Sequence, residues 1–300
     1  MTVLGTALFA ASMGCLGWRF LRAPRNGSFP GYGIAGLGLI VAAALLAAWK
    51  VWLAAVFLTP IVWTGYILAV DGAVFAVRGR SLLVSHRAAF AWMALLSIPL
   101  WLIFEAYNLR LQNWRYEGLP ENVLLRLLGY LWSFATIWPG ILETADLLLA
   151  TKSHARSARP VSLPGRLVAL VGGILIVIPP LLPVPAGGYL FGVVWLGFAF
   201  LLDPINCEAG HASIVGDLRR GDRSRLGALL AAGVICGFVW EFWNSWAAAK
   251  WIYIFPILQQ AKIFEMPLPG YLGFPAFALE VFSMYGYVTA RLGVPCYEVR

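Results

Sequence analysis

The chain reads as all-α, a polytopic transmembrane helical bundle of about nine spans, built from one N-terminal helix plus two parallel four-helix repeats. Three observations predict this. Of 300 residues, 61% are apolar and only 12% charged, against roughly half and a quarter in a soluble domain. Several apolar runs approach the ~20 residues that cross a bilayer. Landmark residues also recur in order along the chain, at offsets of 132 to 137 residues.

The apolar segments lie at about 2–21, 33–49, 52–76, 88–108, 123–150, 166–182, 188–206, 226–248 and 271–290. The first has no basic residue ahead of it, so it reads as a span and not as a secretory signal, with Cys15 as helix filler. Arg19, Arg22 and Arg25 follow it. With the N-terminus outside, sixteen Lys and Arg fall on inner segments, among them Arg78, Arg80, Arg87, Arg156, Arg219 and Arg220, and six fall outside. Positive charge accumulates on the cytoplasmic side. We therefore expect a bacterial-type cytoplasmic (inner) membrane location, N-terminus outside and C-terminus inside. The net charge of +8 sits in these short loops, so it sets topology and implies no nucleic-acid partner. Pro60, Pro99, Pro139, Pro179, Pro180, Pro204 and Pro275 fall in or beside the segments. Kinks there need neighbouring helices or water to satisfy the freed carbonyls.

The recurrence is specific. Trp63-x-Gly65-Tyr66-x4-Asp71 matches Trp195-x-Gly197-Phe198-x4-Asp203, and Ser81 matches Ser213, at offset 132. Glu105 and Asn108 match Glu241 and Asn244, and Trp138-Pro139 matches Phe274-Pro275, at offset 136. Trp114-x-Tyr116 matches Trp251-x-Tyr253 at offset 137. Each repeat then holds four spans, and an even number leaves both copies in the same orientation. The chain divides into an extra N-terminal span (1–31), repeat one (32–160) and repeat two (161–300), all in one membrane domain.

The candidate site is polar and lies within the apolar runs. Glu105 and Asn108, and Glu241 and Asn244, sit three apart and share a helix face. Carboxyls near hydrocarbon are costly and usually face the interior or a cavity. Glu143 and Glu280 follow prolines and are placed to face the same cavity. Trp114, Tyr116, Trp240, Trp251 and Tyr253 supply aromatic walls, whose faces stabilise cations, although aromatics at helix ends also serve as an interfacial belt. Asp71 and Asp203 precede basic loops and are expected to pair with Arg78 or Arg219, or to cap the following turn. Cys15, Cys207, Cys236 and Cys296 have no metal or disulfide spacing, and His86, His154 and His211 are far apart. The loop Asp203 to His211 gathers Asp, Asn, Cys, Glu and His but reads as a turn. No metal and no cofactor is expected. No P-loop and no H-E-x-x-H helix is present. Ser81 and Ser213 carry no mark of a nucleophile.

An acid at a helix end, then Trp-x-aromatic, then Gly-x-Pro followed by Glu, occurs as Trp240-Glu241, Trp251-Ile-Tyr253, Gly273-Phe-Pro275 and Glu280. It returns as Phe104-Glu105, Trp114-Arg-Tyr116, Pro139 and Glu143. This order resembles the integral-membrane lycopene cyclases and related carotenoid hydratases. The resemblance implies acid catalysis on isoprenoids without a redox-active metal. The family's paired glutamates after the proline are a single acid here, and its repeats have three spans where four are read here. Two functions are expected in turn. One is an enzyme cyclising or hydrating an isoprenoid or other lipid, with Glu105 and Glu241 as acid and base, and Glu143 and Glu280 in support. The other is a proton-coupled transporter or permease for a lipid or small solute. In both, the partner is a membrane lipid or lipid-soluble small molecule.

Overall fold

The computed structural model describes residues 2–152 and 158–299; His154 and Arg156, counted above among the loop residues, lie outside them. The chain is mostly helical. Its helices are α1 (Thr2–Arg22), α2 (Gly31–Ala48), α3 (Trp52–Val56), α4 (Leu58–Arg78), α5 (Leu82–Ser85), α6 (Arg87–Leu111), α7 (Val123–Ala135), α8 (Ile137–Ala150), α9 (Gly165–Leu181), α10 (Val184–Glu208), α11 (Ile214–Arg219), α12 (Ser224–Trp246) and α13 (Gly273–Leu292). Short strands β1 (Trp114–Glu117), β2 (Lys250–Tyr253), β3 (Lys262–Ile263) and β4 (Met266–Pro267) complete it, with one 3-10 turn at Leu268–Leu272.

Among the described residues, six helices are long and apolar enough to cross a membrane: α1, α2, α4, α6, α12 and the Ala186–Glu208 part of α10. The other segments differ from the expected spans for local reasons. The third run breaks at Phe57 into α3 and α4, and the fifth breaks at Thr136 into α7 and α8. Helix α9 is apolar but has only 17 residues. Helix α13 reaches 20 residues but carries Glu280, Ser283 and Thr289 inside, which lowers its hydropathy. Large apolar side chains stay exposed along α1, α2, α7 and α9, including Leu37, Val41, Leu127, Leu131, Leu170 and Ile174. In water such a surface would promote association; against lipid it is the contact layer.

Several prolines do not kink their helices. Pro60, Pro139 and Pro275 are each the third residue of α4, α8 and α13. The first-turn N–H groups have no intrahelical partner, so proline costs little there. Pro99, Pro179, Pro180 and Pro204 do lie inside α6, α9 and α10.

Close helix packing rests on glycine. A Cβ on Gly36 of α2 would lie 2.5 Å from the Gly65 carbonyl of α4, and one on Gly65 would lie 2.6 Å from the Gly36 carbonyl. Gly172 of α9 and Gly197 of α10 meet in the same way, with 2.7 Å from Gly172 to the Gly197 carbonyl. Small residues at such crossings let backbones approach. Ile40 packs against Gly65, and Ile176 against Gly197.

Asp71 and Asp203 settle into one of their two expected tasks. Asp71 accepts from the Leu83 N–H at 2.9 Å and the Ser81 hydroxyl at 2.8 Å. Asp203 accepts from the N–H groups of Ile214 and Val215, both at 2.8 Å. Each caps the short helix that begins eleven residues on, α5 or α11. Arg78 pairs instead with Asp146, and Arg219 reaches the Cys207 sulfur.

The connections fall at two ends. At one, Arg19 reaches the Leu148 carbonyl, Asn26 N–H reaches Ala76, and residues 158–161 pair with 218–221. This basic end holds most of the Arg residues. At the other end β1 and β2 pair antiparallel, Trp114 opposite Tyr253 and Tyr116 opposite Trp251.

Candidate functional site

The last two turns of α6 and of α12 carry the two Glu-Asn pairs. The asparagines fold the chain that follows. Asn108 Oδ1 accepts from the N–H groups of Asn113 (2.8 Å) and Trp114 (3.0 Å), and its Nδ2 donates to the Trp114 carbonyl at 2.9 Å. Asn244 does the same for Trp251, at 3.0 Å and 2.9 Å. Each therefore pins the first aromatic residue of its Trp-x-Tyr strand. Gln112 adopts the left-handed conformation, φ 52°, to turn the chain between helix and strand.

Side chains two apart on a strand share a face, so Trp114 and Tyr116, and Trp251 and Tyr253, project together. The glutamates hold these rings from behind. Glu105 Oε1 accepts from the indoles of Trp101 (2.9 Å) and Trp114 (3.3 Å) and from the Tyr116 hydroxyl (2.5 Å). Glu241 Oε1 accepts from the Trp251 indole (3.3 Å) and the Tyr253 hydroxyl (3.0 Å). Glu105 is half-buried, whereas Glu241 is fully buried and its Oε2 has no hydrogen-bond partner. Burial, and then the Glu241 carboxylate, keep the Tyr253 phenol well above the ordinary tyrosine range. Burial and Glu105 do the same for Tyr116. Both phenols stay O–H donors throughout the working pH range.

Beneath this ribbon lies a cavity of about 450 Å³. Trp114, Tyr116, Trp240, Trp251 and Tyr253 all line it. Elements from along the chain contribute, α4, α6, β1, α7, α10, α12, β2 and α13 among them. Its walls are mostly apolar and rich in aromatic rings. Trp195 stacks on Phe104 at 4.9 Å between ring centroids, and Trp63 packs on Trp240 at 4.8 Å. Among the lining residues, Arg126 and Lys250 are the charged ones, and Lys250 is paired with Glu265 at 2.8 Å.

No protein-family model, curated protein or solved structure matches this chain.

Three expectations are corrected. Glu105, Asn108, Glu241 and Asn244 do not line the cavity; each lies one layer behind, occupied with ring donors or strand backbone. Glu143 and Glu280 do not line it either. Glu280 accepts from the Phe198 N–H of α10 at 2.9 Å. Glu143 sits with Asp71, Asp146 and Arg78 toward the basic end. The segment from Asp203 to His211 is not a loop: Asp203–Glu208 end α10, a turn follows, and Asn206 donates to the Ser283 carbonyl at 2.9 Å. Among the described residues no group of three His, Cys, Asp or Glu is arranged to hold a metal ion.

Trp101, Trp195 and Phe277 are central to the walls; the sequence marks Trp195 only as a repeat landmark, and Trp101 and Phe277 not at all. Trp101 lies one turn before Glu105, the spacing at which two helix residues meet, and that was the available signal. For Trp195 and Phe277 the aromatic content of the chain gave no means of choosing.

Proposed function

We propose that this is a multipass membrane protein of about nine spans whose two halves arose by duplication, and that it takes a lipid-soluble, isoprenoid-like molecule into the aromatic cavity and modifies it by proton transfer. The observation that carries this reading is the cavity roof: two tyrosine hydroxyls, each on a glutamate, reached from a hollow walled by indole and phenyl faces. Apolar walls admit a polyene. Aromatic faces stabilise a carbocation. Each Glu–Tyr pair can pass a proton: with the glutamate protonated, its O–H turns to the phenol oxygen, which frees the phenol O–H for the ligand, and the phenol takes the acid's proton as it gives up its own. Cyclisation would leave the mass unchanged, and hydration would add one water.

The equivalent hydrogen bonds around Asp71 and Asp203, Asn108 and Asn244, and the two glycine crossings support the duplication. So does the exchange across the centre, in which each half's Trp (Trp63, Trp195) packs on the aromatic residue preceding the other half's glutamate. Four spans per half, with the basic loops inward, give the N-terminus outside and the C-terminus inside, in a bacterial-type inner membrane.

The test is incubation of purified protein with prenyl and carotenoid substrates. Wild type is expected to yield isomeric or hydrated products, and Glu241→Gln and Tyr253→Phe to lose them by tenfold or more, since positioned acid–base groups contribute about 10²–10⁴-fold. Identical product profiles for wild type and Glu241→Gln would end this reading. A second reading, a proton-coupled permease, is favoured by the position of the cavity between two equivalent halves. It predicts proton-dependent uptake of the ligand into liposomes and no change in its mass.

A further inference from the structure

A second buried polar centre lies outside the cavity. Glu143, on α8, is only 1% exposed, and neither of its carboxyl oxygens has a hydrogen-bond partner. The groups around it are already engaged. Asp71 of α4 accepts from Tyr32 (2.6 Å), Ser81 (2.8 Å) and the Leu83 N–H (2.9 Å). Asp146 of α8 accepts from Arg78 and from the Tyr297 hydroxyl, each at 2.6 Å. Tyr66 of α4 bonds Thr144, which touches Cys236 of α12. Helix α1 brings Arg19 to the Leu148 carbonyl. On α6 and α13, Arg87 is exposed, Glu280 is held by the Phe198 N–H, and Tyr285 reaches the Ala89 carbonyl.

We propose that Glu143 is an intramembrane proton-binding site, reached from the basic end past Tyr297 of the C-terminal tail. Asp71 and Asp146 accept five donors between them, and Arg78 pairs with Asp146. A third bare carboxylate beside them would bury a further uncompensated charge. A neutral acid does not, and its O–H can turn to Asp71, because a carboxylate has about four acceptor positions and three are filled. A metal ion is a poorer occupant, since these carboxyls are not arranged as a ligand set. Arg78 and Tyr297 are part-exposed, so water at the basic end is within one side chain of the cluster. This goes beyond the ligand reading and does not depend on it.

The test uses full-length protein in liposomes and dicyclohexylcarbodiimide, an apolar reagent selective for protonated carboxyls. The acid O–H adds across the carbodiimide, and the product rearranges to a stable N-acylurea. Peptide mapping is expected to find the adduct on Glu143 near neutral pH, at a rate that falls as pH rises and increases severalfold in Tyr297→Phe. Glu143→Gln is expected to lose the adduct and to weaken the infrared carbonyl band of protonated acids, which other buried carboxyls share. Should that variant not fold, the wild-type adduct and its pH dependence decide. Labelling of Glu280 with none on Glu143, an undiminished band in folded Glu143→Gln, or protection by sodium but not choline would each overturn the proposal.

Discussion

Asn108 and Asn244 show how far a residue pattern can be read. Each makes both kinds of amide hydrogen bond to the backbone of the following tryptophan, and those backbone groups have no other use for the ribbon. Asn108→Ala or Asn244→Ala is expected to cost about 1–3 kcal/mol, the penalty of leaving such groups unmet. Thermal unfolding in detergent, followed by tryptophan fluorescence, measures it, and Asn→Asp should recover only the acceptor half. That a Glu and an Asn recur three apart was legible in the sequence. What they hold was not, because Trp114 and Tyr116, or Trp251 and Tyr253, lie across a turn whose direction depends on the asparagine bonds themselves. Periodicity says which helix face a side chain shares and is silent on a loop folding back over it.

Helix existence was legible and helix continuity was not. Runs of apolar residues located α1, α2, α6 and α12 to within a few residues, because the bilayer requirement is mostly one of length and composition. The breaks at Phe57 and Thr136 carry no Gly or Pro of their own. They follow from where the first turns of α4 and α8 begin, two residues before Pro60 and Pro139. The glycine crossings are where helix packing can be tested. Gly36→Leu and Gly172→Leu each place side-chain carbon against a carbonyl 2.5–2.7 Å away, so α2 must leave α4, or α9 leave α10. Overpacking of this kind costs about 1–3 kcal/mol or more, and a lowered melting temperature is expected for both. Gly38→Leu, where a Cβ would meet nothing within 4 Å, should be silent.

For the whole molecule, the recurrence of landmarks was visible in the sequence, and the structure accounts for its drift. The step from 132 to 136 falls where four-residue α5 corresponds to six-residue α11 and its longer loop. The step to 137 falls between Asn and Trp, six residues apart in one copy and seven in the other. The proposed topology puts the ribbon and the C-terminal tail on opposite sides of the membrane. With Cys15 and Cys296 replaced, single cysteines at Gln112 and Glu298 should react with a membrane-impermeant maleimide from opposite faces of sealed vesicles; reaction of both from one face would remove the nine-span arrangement.

The antiparallel ribbon takes one strand from each half and matches unlike rings, Trp against Tyr and Tyr against Trp. It is thus self-complementary, as the contact in a two-fold dimer is. On the proposed duplication, a polypeptide carrying a single half would lack the partner strand of this ribbon until it met another molecule of its own kind, so an unfused forerunner would have worked as a pair.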